Sequence, residues 1–155
     1  MTEFYDFIKN YINDKFRADT DIVADVTVVD AEISGFKPSS AKNEVVCEII
    51  DMYENTRTTT FAQGETTSTY VMQFTAFAGR QKIAGEMRNA REVSRLFGGK
   101  LKRYLNEFKI DGSLNANIIG CRHITTSPVL PVEGGEKIYL TAVRYEFVVR
   151  YPYGE

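Results

Sequence analysis

Across residues 69–108 the hydrophobic period changes from two to about 3.6, so one strand must feed into one amphipathic helix. Tyr70, Met72, Phe74, Ala76 and Ala78 fall on one face of an extended segment, with Val71, Gln73, Thr75 and Phe77 on the other. Both faces carry enough apolar surface to be at least half buried, which predicts a central strand. After Gly79, Ile83, Met87, Ala90, Ser94, Phe97, Leu101, Tyr104, Leu105 and Phe108 recur at steps of three and four and gather on one side of a helix. That stripe needs a surface to cover, and the preceding strand is the nearest one. Gly98 and Gly99 interrupt the run at about 1 kcal/mol each relative to Ala, so a kink, or two helices end to end, is expected there.

The remaining chain supplies partners for this unit. Residues 2–17 read as a first helix, with Phe4, Phe7, Ile8, Tyr11, Ile12 and Phe16 on one face. Residues 21–33 read as a short strand or extended connector, 44–53 as a strand, 117–126 as another, and 137–151 as the last and longest. Residues 54–68, dominated by threonine and containing Gln63-Gly64, favour extended backbone but offer little core, so they form a long hairpin whose tip projects. Strands adjacent in sequence pair antiparallel through such hairpins. The expected class is therefore α+β, a mostly antiparallel sheet with the N-terminal helix and the long helix packed on one face, plus a protruding β-hairpin at about residues 54–68.

At 155 residues, 43% hydrophobic and 26% charged, the chain is expected to form one domain, residues 1–155, with a substantial core. No apolar run approaches the roughly 18 residues of a membrane span, and Glu3 and Asp6 stand where a signal peptide would be basic, so the expected compartment is a cytoplasm. Cys47 and Cys121 lie in apolar, strand-like surroundings without a second ligand at metal spacing and read as buried free thiols. The net charge of -2 conceals a polarised distribution: residues 1–35 carry eight acids and three bases, residues 80–109 nine bases and three acids.

Residues with catalytic chemistry do not converge. The single histidine, His123, sits inside a strand pattern with no nucleophile or carboxylate standing out beside it, and reads as structural or superficial. Gly98-Gly99-Lys100 lacks the strand, loop and helix order of a phosphate loop. No catalytic, cofactor or metal site is expected. The basic stripe is more informative: Arg88, Arg91, Arg95 and Lys102 project to one side of the long helix, and Leu96 lies on a further, otherwise polar side where an exposed leucine would suit an oligomer contact. Three readings stay open: a solvated helix face, a nucleic-acid track on a small α+β module using residues 80–109, or a positive surface that meets the acidic helix of a neighbouring copy. Negative net charge and the lack of aromatic residues between the arginines weigh against nucleic acid.

The order of elements resembles the tail terminator or tail completion family of long-tailed bacteriophages, small neck proteins also called minor capsid proteins. The resemblance is carried by Val45-Val46-Cys47-Glu48-Ile49-Ile50 leading into the Thr/Arg-rich hairpin, by Tyr70-Val71-Met72-Gln73-Phe74-Thr75-Ala76-Phe77 before a helix with small residues at Ala84 and Ala90, by Arg122-His123-Ile124 before a Pro-rich loop, and by the closing Tyr139-Leu140-Thr141-Ala142-Val143-Arg144-Tyr145-Glu146-Phe147. It implies a structural virion protein, made in the bacterial host cytoplasm, that forms a homo-oligomeric ring, commonly a hexamer. Such a ring caps the tail tube and contacts the tail tube protein and the head connector or stopper proteins. DNA passes through its lumen without sequence-specific recognition, with no catalysis and no membrane. A head-completion connector of similar size is the neighbouring alternative. On this reading Arg57, Thr58, Thr59, Thr60, Phe61, Thr66 and Thr67 of the hairpin join the basic residues as expected oligomer contacts, because an unpaired hairpin edge can add strands to an adjacent subunit.

Overall fold

The computed structural model describes residues 2–19, 26–30, 43–58, 64–83, 85–108, 117–132 and 138–152. In chain order these form α1 (Thr2–Ala18), β1 (Val26–Asp30), β2 (Asn43–Thr58), β3 (Gly64–Gly79), β4 (Gln81–Ile83), β5 (Glu86–Arg88), α2 (Ala90–Asn106), β6 (Asn117–Thr126), β7 (Leu130–Pro131) and β8 (Ile138–Pro152). The main sheet runs β1-β2-β3-β8-β6, with β7 added beside β8. Every pair in it is antiparallel except β1 with β2. The fold is α+β.

Strand β3 is central because its inner face has the most to bury. Tyr70, Met72, Phe74, Ala76 and Ala78 are all buried there, beside Val143, Tyr145, Phe147 and Val149 of β8. Helices α1 and α2 close over this face with Phe4, Ile8, Ile12 and Phe16 from one and Val93, Phe97, Leu101, Tyr104 and Leu105 from the other, making a single core. Phe4 stacks on Tyr70 with ring centroids 4.9 Å apart, and Phe16 meets Tyr104 edge-on at 5.0 Å. Helix ends are tied by hydroxyls: Tyr11 donates to the Tyr104 carbonyl at 2.6 Å, one of the carbonyls that the last turn of α2 leaves without a helical donor.

The long helix begins later than the apolar period indicates. Gln81–Ile83 and Glu86–Arg88 form the small antiparallel hairpin β4-β5, with Gly85 in the turn at φ +84°, and Met87 is exposed on it rather than part of a helical stripe. Asn89 then starts α2: its side chain accepts from the Glu92 amide at 2.9 Å and donates to the Glu92 carboxylate at 3.0 Å, a reciprocal cap. That cap fixes the boundary, and the apolar spacing upstream was fortuitous.

From Ala90 to Asn106 the helix is continuous through both glycines, so the expected pair of helices is one. Gly98 is buried against β8, where a Cβ would lie 2.6 Å from the Thr141 methyl. Its role is close approach: Ser94 one turn earlier donates to the Ala76 carbonyl at 3.3 Å and shares a hydrogen bond with Thr141 at 3.0 Å. Gly99, facing solvent, has nothing within 4 Å of its Cβ position.

The hairpin of β2 and β3 is paired out to Thr58 and Gly64, and its tip, with Thr59, Thr60 and Phe61, lies outside the described residues. On its other side β3 remains paired with β8 as far as Glu65 opposite Pro152. The open side of this extension is therefore that of β2, which beyond Cys47 pairs only with β3 among the described residues.

Candidate interaction surface

The capped start of α2 sets which of its residues face outward. Val93, Phe97, Leu101 and Tyr104 take the inner side, so Arg91, Arg95 and Lys102 are exposed on the other. Arg88, expected on the same helical face, instead belongs to β5, but the turn at Asn89 brings it back beside the helix. Arg88, Arg95, Lys100 and Arg103 line, with Glu92, Leu96 and Gly99, a shallow groove of about 570 Å³. Arg91 and Lys102 are not among its lining residues. The Arg91 guanidinium lies over the Tyr139 ring, 5.4 Å from its centroid.

Several of these charges are answered inside the subunit. Lys100 is buried and pairs with Asp19 at 3.2 Å, and Tyr104 donates a hydrogen bond to the same carboxylate, so one acid of the N-terminal segment and one base of α2 cancel in the interior. Arg103 pairs with Glu107 at 3.3 Å, and Arg88 stands 3.7 Å from Glu86. The Arg88 Nε is buried and has no hydrogen-bond partner among the described residues. Neither Arg95 nor Lys102 has an acid partner among them. Leu96 corrects an expectation: it is only part-exposed and packs against the core cluster as well as bordering the groove.

The acidic side of the molecule is also placed differently from the sequence reading. On α1 the exposed Asp6 and Asp14 are interleaved with Lys9, Lys15 and Arg17, giving a mixed surface, while Asp21, Asp25 and Glu32 lie outside the described residues. Strand β2 carries further acids: half-buried Glu48 and exposed Asp51 on the face of Gln73 and Val71, and exposed Glu54 on the opposite face beside Ser68. Of the hairpin residues expected at a contact, Arg57 and Thr58 lie in β2 opposite Glu65 and Gly64, while Thr66 and Thr67 lie in β3 opposite Thr56 and Asn55.

His123 is on the edge strand β6, bonded to the Thr126 hydroxyl at 2.7 Å and edge-on to Tyr145 with centroids 5.3 Å apart. Cys47 is buried as expected, but Cys121 is exposed on the same edge strand, where its thiol donates to the Leu105 carbonyl at 3.6 Å. The sulfur is nonetheless partly desolvated beneath the end of α2, and that burial pushes the thiol up to about 11. Among the described residues no cluster of His, Cys, Asp and Glu has metal-binding geometry, and no helix is long and apolar enough to cross a membrane. What the groove offers chemically is a set of guanidinium donors suited to carboxylates or phosphates. The chain matches no protein-family model, and no curated protein matches it in sequence.

Proposed function

We propose that the chain is a noncatalytic structural subunit of a long-tailed bacteriophage particle, a tail terminator or tail completion protein that closes into a ring, caps the tail tube and joins it to the head connector. The element order on which the resemblance rests supports this reading. The observation that carries it is the cationic outer face of α2: Arg95 and Lys102 are exposed without acid partners of their own among the described residues. Such a surface can be answered by a second molecule. In a closed ring every subunit presents one face to a different face of its neighbour, and opposite charges steer and register that contact.

Electron microscopy of the purified protein, alone and mixed with tails, tests the reading; rings seated on tail ends are expected, and tails left uncapped at saturating protein would refute it. Reversal of Arg95 and Lys102 to Glu leaves the fold intact, because both side chains are exposed. At ~0.2–1 kcal/mol per exposed pair, the two reversals weaken each contact by about two- to thirtyfold. Unchanged assembly by sedimentation would show that the cationic face is not used. Salt-dependent binding of duplex DNA by the isolated monomer would instead favour a nucleic-acid-binding module, with Arg88, Arg95 and Arg103 of the groove on the phosphates.

A further inference from the structure

The two ends of the main sheet complement one another. At one end β2 has a free side beyond Cys47, and at the other β6 has a free side along its length, both among the described residues. Strand β2 contains a bulge between Ile49 and Asp51, and β6 contains two, between Ile118 and Gly120 and between His123 and Thr125. The β2 bulge and the second β6 bulge each turn out an isoleucine, Ile50 at 42% exposure and Ile124 at 41%. Bulges on edge strands usually guard against pairing, and then the side chain they re-aim is charged; an exposed isoleucine at both does the opposite.

The register across the sheet makes the correspondence specific. Asp51 stands opposite Val71, Val71 opposite Glu146, and Glu146 opposite Arg122, so Asp51 and Arg122 end one cross-strand row on one face of the sheet. Two residues further along β2, Tyr53 is opposite Thr69, Thr69 opposite Val148, and Val148 opposite Gly120. Tyr53 is 50% exposed, and Gly120 at the far end of its row has no side chain. An acid faces a base and an aromatic ring faces a glycine at the same levels, and a strand-borne aromatic over a cross-strand glycine is a stabilising pair. Arg122 already holds Glu146 at 3.2 Å but its side chain is 71% exposed, leaving donors for a second carboxylate.

From these observations we infer that the β2 edge of one copy pairs with the β6 edge of the next, Asp51 beside Arg122 and Tyr53 over Gly120, joining the sheets of neighbouring subunits. Three antiparallel steps separate β2 from β6, so the two strands run in opposite directions within the subunit. A rotation about an axis along the strands preserves those directions and makes the junction antiparallel. The complementary residues occupy the same rows, so the junction needs no slip along the strands, which suits a closed ring rather than a filament. Pairing β2 with β2 about a two-fold axis at Asp51 would set Asp51 against its own copy, and the charges oppose it. This deepens the ring reading and rests on it only for closure.

Two variants test the inference. Asp51→Lys/Tyr53→Lys spoils the β2 edge and Arg122→Glu/Ile124→Glu spoils the β6 edge; all four side chains lie on edges, and circular dichroism confirms that each variant is folded. Sedimentation velocity is expected to show wild type as an oligomer and each variant alone as a 17.6 kDa monomer. An equimolar mixture is expected to return to the wild-type size, since every junction in an alternating ring is then intact or has its charges inverted in complement. Wild type that stays monomeric, either variant assembling alone, or a mixture of folded monomers that stays monomeric each overturns the edge junction. If the variants still cap tails as rings, the ring reading survives and the junction does not; if wild type caps no tails yet the mixture behaves as expected, the junction stands and the phage reading falls.

Discussion

Substituting Gly98 and Gly99 separately by Ala gives the most direct measure of how closely α2 lies on the sheet. Both changes improve intrinsic helix propensity by about 1 kcal/mol. At position 99 the new methyl meets nothing within 4 Å, so Gly99→Ala is expected to stabilise by up to about 1 kcal/mol. At position 98 the methyl would lie 2.6 Å from Cγ2 and 3.0 Å from Cβ of Thr141. Thr141 is buried, β-branched and held by Ser94, so it cannot swing aside. Overpacking of this kind costs ~1–3 kcal/mol, which leaves Gly98→Ala destabilising by about 1 kcal/mol after the propensity gain. With an m value of ~2 kcal/mol/M, urea midpoints should move by about 0.5 M, in opposite directions for the two neighbours. Thr141→Ser removes the offending methyl and keeps the hydroxyl, so in that background Gly98→Ala should become neutral or stabilising, with a coupling of ~1–2 kcal/mol. If Gly98→Ala stabilises the wild type as much as Gly99→Ala does, the helix is not seated against Thr141.

Lys100→Met should destabilise by about 3 kcal/mol in urea melts, because it leaves Asp19 buried with a hydroxyl partner but without its cation; a change within error would mean that Asp19 is hydrated. The Cys121 thiol, raised by burial from 9.0 to about 11, carries less thiolate near pH 8 than an ordinary cysteine, so its labelling by a thiol reagent should be slower in native protein and rise on unfolding. Burial also raises Tyr11 and Tyr145 from 10.0 to about 12. Between the unfolded and folded values of these three groups the native state holds more protons than the unfolded one, so stability falls as pH rises from about 9 towards 12. Urea midpoints that stay level across that interval would contradict the burial of these groups.

Local pattern reported much of this architecture. The alternation around Phe74, the aromatic face of α1, the extents of β6 and β8 and the hairpin joining β2 to β3 follow from periods of two and 3.6 that neighbouring residues impose on one another. The start of α2 was also written locally, in Asn89 and Glu92, but the apolar spacing of Ile83 and Met87 imitated a helix that the cap does not allow. The interaction surface was less accessible to such reasoning. Lys100 looks like one more base in a run until the packing of α1 places Asp19 against it, and Leu96 looks exposed until the core reaches it.

By itself, then, the order of residues determined where the chain would be extended or helical and which faces had to leave water, because those properties are set by side chains within a few positions of each other. Tertiary structure decided the rest: that Gly98 is a contact rather than a break, that one acid and one base of the polarised halves neutralise each other inside, and that Asp51 and Arg122 close the same row at opposite ends of the sheet. Each of these depends on strand order and register between residues far apart in the chain, which no local period specifies.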